Sequence, residues 1–290
     1  LRNLCYQRSV NMPKGSIAII PFLAITYSLG LFGQHITGVV PYWEIAWDSN
    51  LWESFLPILN IDWPYWLEHI APQIAMSLNG LGIGLSLLFI TAFFLPSTWR
   101  FSHKVGKFAS GSLTTFLLIW FLWEWKDHAY AWPNLVENSL RIAMPWLLFR
   151  WHWKKCIDPF SKKVALLAIT LTFLGHGWYA LGLAPTPGEF LYMTTRTFGI
   201  NEMQALVFLK IVGVLDMLVA VGIWIKPAYK PVLIYAAIWG ILTAVARITG
   251  HFYLDFPLNS LIEWTPEMLV RLGHGLVPGI LLMYNVKGNV

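Results

Sequence analysis

The chain has 290 residues, of which 57% are hydrophobic and only 12% charged, with a formal net charge of +5 and a mean hydropathy of +0.56. That composition excludes an ordinary water-soluble domain, because one core of this size cannot hide so much apolar surface, and it makes a lipid bilayer the expected solvent. The positive charge does not call for nucleic acid, since its placement along the chain accounts for it.

In chain order, eight apolar stretches reach or approach the roughly 20 residues a spanning helix needs. They are 17–38, 73–95, 111–131, 135–150, 164–183, 204–225, 231–251 and 268–284. The first follows a basic stretch but is too long for the apolar core of a signal sequence and has no small-residue cleavage site, so it reads as a retained span. Between the first and second lies a long loop, 39–72, in which Trp43, Trp47, Trp52, Trp63 and Trp66 alternate with acids. Such a segment is expected to lie along the outer interface, where indole rings sit half in lipid and half in water. Trp120, Trp123, Trp125, Trp146, Trp151 and Trp153 fall near predicted helix ends and read as further anchors.

The connections alternate in charge. Arg2, Arg8 and Lys14, then Arg100, Lys104 and Lys107, then Arg150, Lys154, Lys155, Lys162 and Lys163, then Lys226 and Lys230, and finally Lys287 fall on one side. The opposite connections hold Glu44, Asp48, Glu53, Asp62, Glu68, Glu124, Asp127, Glu137, Glu189, Glu202, Asp255, Glu263 and Glu267. By the positive-inside rule both termini are cytoplasmic, and a bacterial cytoplasmic (inner) membrane is the expected location. Cys5 and Cys156 both fall on the basic side, where a structural disulfide is not expected, and they form neither a redox pair nor a zinc ligand set.

A pattern written twice organises these spans. Pro133, Arg141 and Pro145 recur as Pro266, His274 and Pro278, each Pro-x7-(Arg or His)-x3-Pro, and Leu23-Ala24-Ile25-Thr26 recurs as Leu167-Ala168-Ile169-Thr170. The two echoes come in the same order and predict an all-α polytopic protein of eight transmembrane helices in two four-helix repeats, 1–160 and 161–290.

Ionisable residues inside helices are costly in lipid and normally face the bundle interior. Here they concentrate in the second repeat: His176 on the fifth span, Lys210 and Asp216 on the sixth, Arg247 and His251 on the seventh, and Glu267, Arg271 and His274 at the eighth. Glu267, Arg271, His274 and Pro278 follow at steps of four, three and four and share one helix face, as do Arg247 and His251. These faces are expected to converge on an outward-opening, positively charged cavity. Lys210, Arg247, His251 and Arg271 would meet a small anionic ligand beside Glu267, while Asp216, His176 and His274 would handle protons. Snorkelling and mutual pairing would equally account for Arg247, Arg271, Glu263 and Glu267, and Gly175, Gly177, Gly213, Gly273 and Gly275 read as close helix contacts. His176 and His274 sit at comparable depths and are candidate axial ligands for a haem, with Arg247 or Arg271 taking its propionates. The first repeat carries a diluted set in Glu124, Asp127, His128, Asn138 and Arg141.

The run 208–225, FLKIVGVLDMLVAVGIWI, followed by Lys226, Pro227 and another apolar helix, resembles the second helix of DoxX-type four-helix membrane proteins, with Asp216 where that family usually has Glu. The resemblance covers mainly 164–284. It implies a four-helix DoxX-like fold for that region and a connection to redox or sulfur metabolism, since the family includes the small subunit of thiosulfate:quinone oxidoreductase. The expected function is therefore a membrane subunit binding a small anionic or quinone-like ligand, as part of a quinone-linked oxidoreductase and with a membrane or periplasmic redox partner. The same residues are compatible with a small-anion transporter or a non-catalytic assembly subunit. No flavin or nicotinamide fingerprint occurs in the sequence, so a quinone, a haem or a partner would supply the electrons.

Overall fold

The computed structural model describes residues 14–38, 40, 42–95 and 99–286, and every regular element among them is helical. The chain opens with α1 (Lys14–Thr37), passes through the short helices α2 (Tyr42–Ala46), α3 (Ser49–Trp52) and α4 (Leu56–Leu59), and then enters α5 (Ala71–Phe94) through a short turn and a π-helical turn. There follow α6 (Arg100–Asp127), α7 (Trp132–Glu137), α8 (Ser139–Lys154), α9 (Pro159–Ala180), α10 (Gly188–Phe198), α11 (Glu202–Gly222), α12 (Tyr229–His251), α13 (Pro257–Arg271) and α14 (Gly273–Val286). Five helices are long and apolar enough to cross a bilayer: Ala18–Thr37, Trp63–Phe94, Arg100–Asp127, Glu202–Gly222 and Tyr229–His251.

The other expected spans differ for physical reasons. The fourth is split into α7 and the 16-residue α8, and the eighth into the 15-residue α13 and the 14-residue α14, so no single piece reaches span length. The fifth, α9, has the length, but Lys162, Lys163 and His176 dilute it. α6 starts at Arg100, well before the expected boundary, which takes Lys104 and Lys107 out of a loop and onto a helix. α10 was not legible as a span and is an amphipathic helix.

The long helices pack mostly on their neighbours in the chain. α1 packs on α5, α5 on α6, and α6 on α8; likewise α9 packs on α11, α11 on α12, and α12 on α13 and α14. Across the halves, α1 lies against α13 and α9 against α7 and α8. Both crossings use a glycine. A Cβ on Gly33 would come within 2.6 Å of Pro266, and one on Gly175 within 2.7 Å of the Pro133 carbonyl, so only glycine permits either approach.

Prolines mark the two irregular stretches, α7–α8 and α13–α14. Pro145 inside α8 has no N–H for the Arg141 carbonyl one turn earlier. The Tyr27 hydroxyl of α1 donates to that carbonyl instead, at 2.7 Å. Just upstream, where α7 gives way to α8 at Asn138, the Leu140 N–H donates to Thr172 Oγ1 of α9 at 3.1 Å. In the second half α13 ends at Arg271 and α14 begins at Gly273, with Pro266 and Pro278 inside the two pieces. Polar groups released by the breaks are thus answered from neighbouring helices, which is how broken helices survive at membrane depth.

The tryptophans divide. Trp43 and Trp47 are exposed, as interfacial rings should be, whereas Trp66 is buried against Trp52 and donates from Nε1 to the Ala46 carbonyl at 2.9 Å. The 39–72 segment therefore has a small aromatic core of its own. Trp120 and Trp151, read as anchors, are core residues instead; Trp151 is wholly buried and its Nε1 donates to Ser161 Oγ at 3.1 Å. The basic helix ends cluster at one end of the bundle, as when Lys162 lies 5.2 Å from the Tyr229 ring centre and His103 packs on Phe149 and Trp153. Cys156 is buried, and Cys5 and Lys287 lie outside the described residues.

Candidate functional site

A cavity of about 300 Å³ lies in the second half, walled by α9, α10, α11, α12 and the junction of α13 with α14. Local sequence builds its roof. α10 ends at Gly199, whose φ of +63° suits the left-handed stop of a helix, and Asn201 with Gln204 forms a reciprocal capping box that starts α11. Gly250 lets α10 settle on α12, since a Cβ there would meet Met193 at 2.9 Å. Phe198, Leu242 and Val245 line the cavity yet are exposed on the outside of the bundle, so its mouth is rimmed by apolar side chains.

The inner wall is polar. His176, Asp216, Arg247, Arg271 and His274 all line the cavity, and Asp216, Arg247 and His274 are at most 7% exposed. Asp216 Oδ1, Arg247 Nε and His274 Nε2 have no hydrogen-bond partner among the described residues. Unpaired polar atoms in such burial are costly, and three of them belong to residues that line this one cavity.

Behind this wall a buried ionic network joins the two halves. His176 Nδ1 lies 3.3 Å from Glu137 Oε2 of α7, and Arg271 Nε donates to Glu267 Oε2 at 3.3 Å. Gln34 of α1 donates to the other Glu267 oxygen. Arg141 Nη1 donates to Asn138 Oδ1 at 3.2 Å, with its guanidinium 4.8 Å from the Phe121 ring centre. Arg141, Arg247 and Arg271 are all near enough to act on Glu267, and Arg141 also acts on Glu124. Three carboxylates thus face three guanidiniums across the junction, which compensates charges that would be costly alone.

Five of the eight residues expected at the site meet in one cavity: His176, Asp216, Arg247, Arg271 and His274. Glu267 stands one layer behind, holding Arg271. Lys210 does not belong: it is exposed on α11 and lines no part of the cavity. The six residues separating it from Asp216 turn it to another face of the same helix. His251 is also elsewhere; its Nδ1 donates to the Arg247 carbonyl at 2.9 Å, its Nε2 lies 3.0 Å from Glu189, and its ring stacks on Trp264 at 3.4 Å. Of the diluted set in the first half, Asp127 and His128 are exposed, whereas Glu124, Asn138 and Arg141 join the network. A strongly positive, outward-opening cavity was expected; the walls here are mostly apolar and the guanidiniums are partly answered by glutamates.

The haem expectation fails on geometry. The His176 and His274 rings touch edge to face with centroids 5.7 Å apart, leaving no plane for a macrocycle between them, and His176 Nδ1 is turned to Glu137. Among the described residues no cluster of His, Cys, Asp or Glu is arranged to hold a metal ion.

Sequence reasoning missed Gln34 and Glu137 as members of the network behind this wall. Glu137 was legible only as an acid in an outer connection, although the repeated Pro133 motif places it one turn beyond that proline. Thr172, which lines the cavity and caps the break at Leu140, carries no signal beyond its place on an apolar helix.

The chain matches no protein-family model, no curated protein and no solved structure.

Proposed function

We propose that the chain is an eight-span membrane protein, two four-helix halves related by an axis along the membrane normal, whose second half takes a quinone-like or acidic amphiphile from the lipid into the cavity beneath α10. The observation that carries this reading is Asp216, a buried carboxyl with one oxygen unanswered, on the polar wall of a cavity that is elsewhere mostly apolar. An ionised group at this depth would cost about 2.5 to 3.5 kcal/mol even on the lenient insertion scale, whereas the neutral acid avoids that cost and can donate its O–H to a quinone carbonyl or an acid oxygen of the ligand. Arg247 and His274 supply further unanswered groups for carbonyl or carboxylate oxygens, and the rim of Phe198, Leu242 and Val245 suits an apolar tail lying out among acyl chains. The sequence likeness of 208–225 to DoxX-type proteins supports placing this binding in redox metabolism, with His176 and Glu137 carrying protons between the cavity and the outer face.

Matching breaks support the two-half reading. The split between α7 and α8 and the split between α13 and α14 fall at equivalent places in the repeated proline frame, and each is crossed by the first helix of the other half.

The test is binding of a short-chain benzoquinone and, separately, of an alkyl phosphate to the protein in lipid nanodiscs, read as a shift in thermal stability. Asp216→Leu, which removes the donor at similar volume, is expected to abolish the shift caused by whichever compound binds, while the variant stays folded in the membrane. An undiminished shift in Asp216→Leu would overturn the assignment of this cavity.

A further inference from the structure

We infer that the first half carries a separate seat for an acidic phospholipid, in the groove between α5 and α6 at the basic end of the bundle. This groove measures about 790 Å³ and is walled by Leu81 and Leu85 of α5 and by α6 from Lys104 to Ile119. It shares no residue with the cavity beneath α10.

Its chemistry changes along its length. Lys104 and Lys107 stand at one end, both exposed, and neither side-chain ammonium has an ion pair or hydrogen bond among the described residues. Nearby basic residues are differently placed: Arg150 and Lys154 are paired with Asp158, and Lys162 lies on the Tyr229 ring. Beyond the lysines the walls are apolar, with Leu81 and Ile119 half exposed. Gly111 lies along the floor, and a Cβ there, or on Gly80 or Gly84 of the adjoining α5 surface, would meet nothing within 4 Å. These glycines therefore do not serve a helix contact in the way Gly33, Gly175 or Gly240 does. They leave the surface smooth and recessed where a chain would lie.

The length fits a lipid. From Lys104 to Ile119 α6 rises about 22 Å, close to one leaflet of a hydrocarbon core about 30 Å thick plus the headgroup region. Two ammonium groups at the head end and an apolar trough below them match a phosphate-bearing headgroup with a net negative charge and one acyl chain. Each such lysine favours an anionic headgroup, and a zwitterionic lipid answers the pair poorly.

The experiment is native mass spectrometry of the full chain in detergent, titrated with phosphatidylglycerol against phosphatidylcholine. The wild type is expected to retain one phosphatidylglycerol about tenfold in preference. Lys104→Gln with Lys107→Gln should reduce that preference to within about twofold of phosphatidylcholine. Lys226→Gln with Lys230→Gln removes the same charge from the same end of the bundle without touching the groove, and should leave the preference intact. Gly111→Leu keeps both lysines but fills the trough, and should lower retention of the lipid. The inference is overturned if the Lys104/Lys107 variant keeps its preference, if the Lys226/Lys230 variant loses it equally, or if Gly111→Leu has no effect.

Discussion

Asp158 shows how much one side chain can fasten in a chain with so few charges. It caps the N-terminus of α9 through Ser161 N at 3.3 Å and takes two hydrogen bonds from Arg150 at 2.7 and 2.9 Å, so the end of α8 is tied to the start of α9. Burial raises its pKa, but the bonds from Arg150 and Ser161 outweigh burial and hold the carboxyl well below its ordinary value of 3.8. Because the folded value is depressed, the stabilisation is complete above the unfolded value and fades as pH falls below about 3.8 toward the folded value. Asp158→Ala is expected to cost about 2 to 3 kcal/mol at neutral pH, combining the lost cap with the lost charged hydrogen bonds. Thermal melts should show the gap between variant and wild type narrowing below pH 3.8; a gap unchanged down to the lowest pH at which the wild type stays folded would contradict this assignment. At this scale the sequence was only partly readable. The burial of Asp216 was legible because a carboxyl in an apolar run is costly in lipid, but the exposure of Lys210 was not, because α11 is apolar on all sides and gives no phase to tell its faces apart. Gln34 was invisible because its partner, Glu267, is 233 residues away.

Helices in this molecule are legible by their prolines more than by their lengths. The pairs Pro133 with Pro145 and Pro266 with Pro278 marked the fourth element of each half, yet eight uninterrupted spans were expected, since hydropathy averages over a break that hydrogen bonding has to repair. Tyr27 makes that repair testable. Tyr27→Phe removes the hydroxyl that answers the Arg141 carbonyl and should cost about 1 to 3 kcal/mol, the price of a buried unsatisfied acceptor. In a Pro145→Ala background the new N–H can reach that same carbonyl, and the cost of Tyr27→Phe should fall by at least half. Additive effects in the double-mutant cycle would separate the tyrosine from the proline. Gly240 sets a second limit, because a Cβ there would meet the His274 backbone at 2.4 Å. Gly240→Ala should push α12 from α14, destabilise the fold by about 1 to 3 kcal/mol, and weaken binding in the adjoining cavity, which the same thermal-shift measurement with short-chain benzoquinone reads out.

For the whole molecule, the alternation of charge was the most readable property, because it survives errors in individual helix boundaries. Moving the start of α6 back to Arg100 put Lys104 and Lys107 on a helix without moving them to the other end of the bundle. Lys162 beside Tyr229 places the start of α9 next to the start of α12, so these two helices of the second half begin at the same end of the bundle. If each half crosses the membrane four times, the direction of the chain is restored at the end of the first half, and the second repeats the first without inversion. Single cysteines introduced at Lys163 and Lys230, in a background with Cys5 and Cys156 replaced by serine, should then react with an impermeant maleimide from the same side. Cysteines at Glu53 and Glu202, both exposed in the structure, should react from the other. Labelling of Lys163→Cys and Lys230→Cys from opposite faces would mean that an odd number of crossings separates them, and that the diluted α9 lies along the membrane instead of through it. The two-half architecture would then fail even though every helix in it remained where it is.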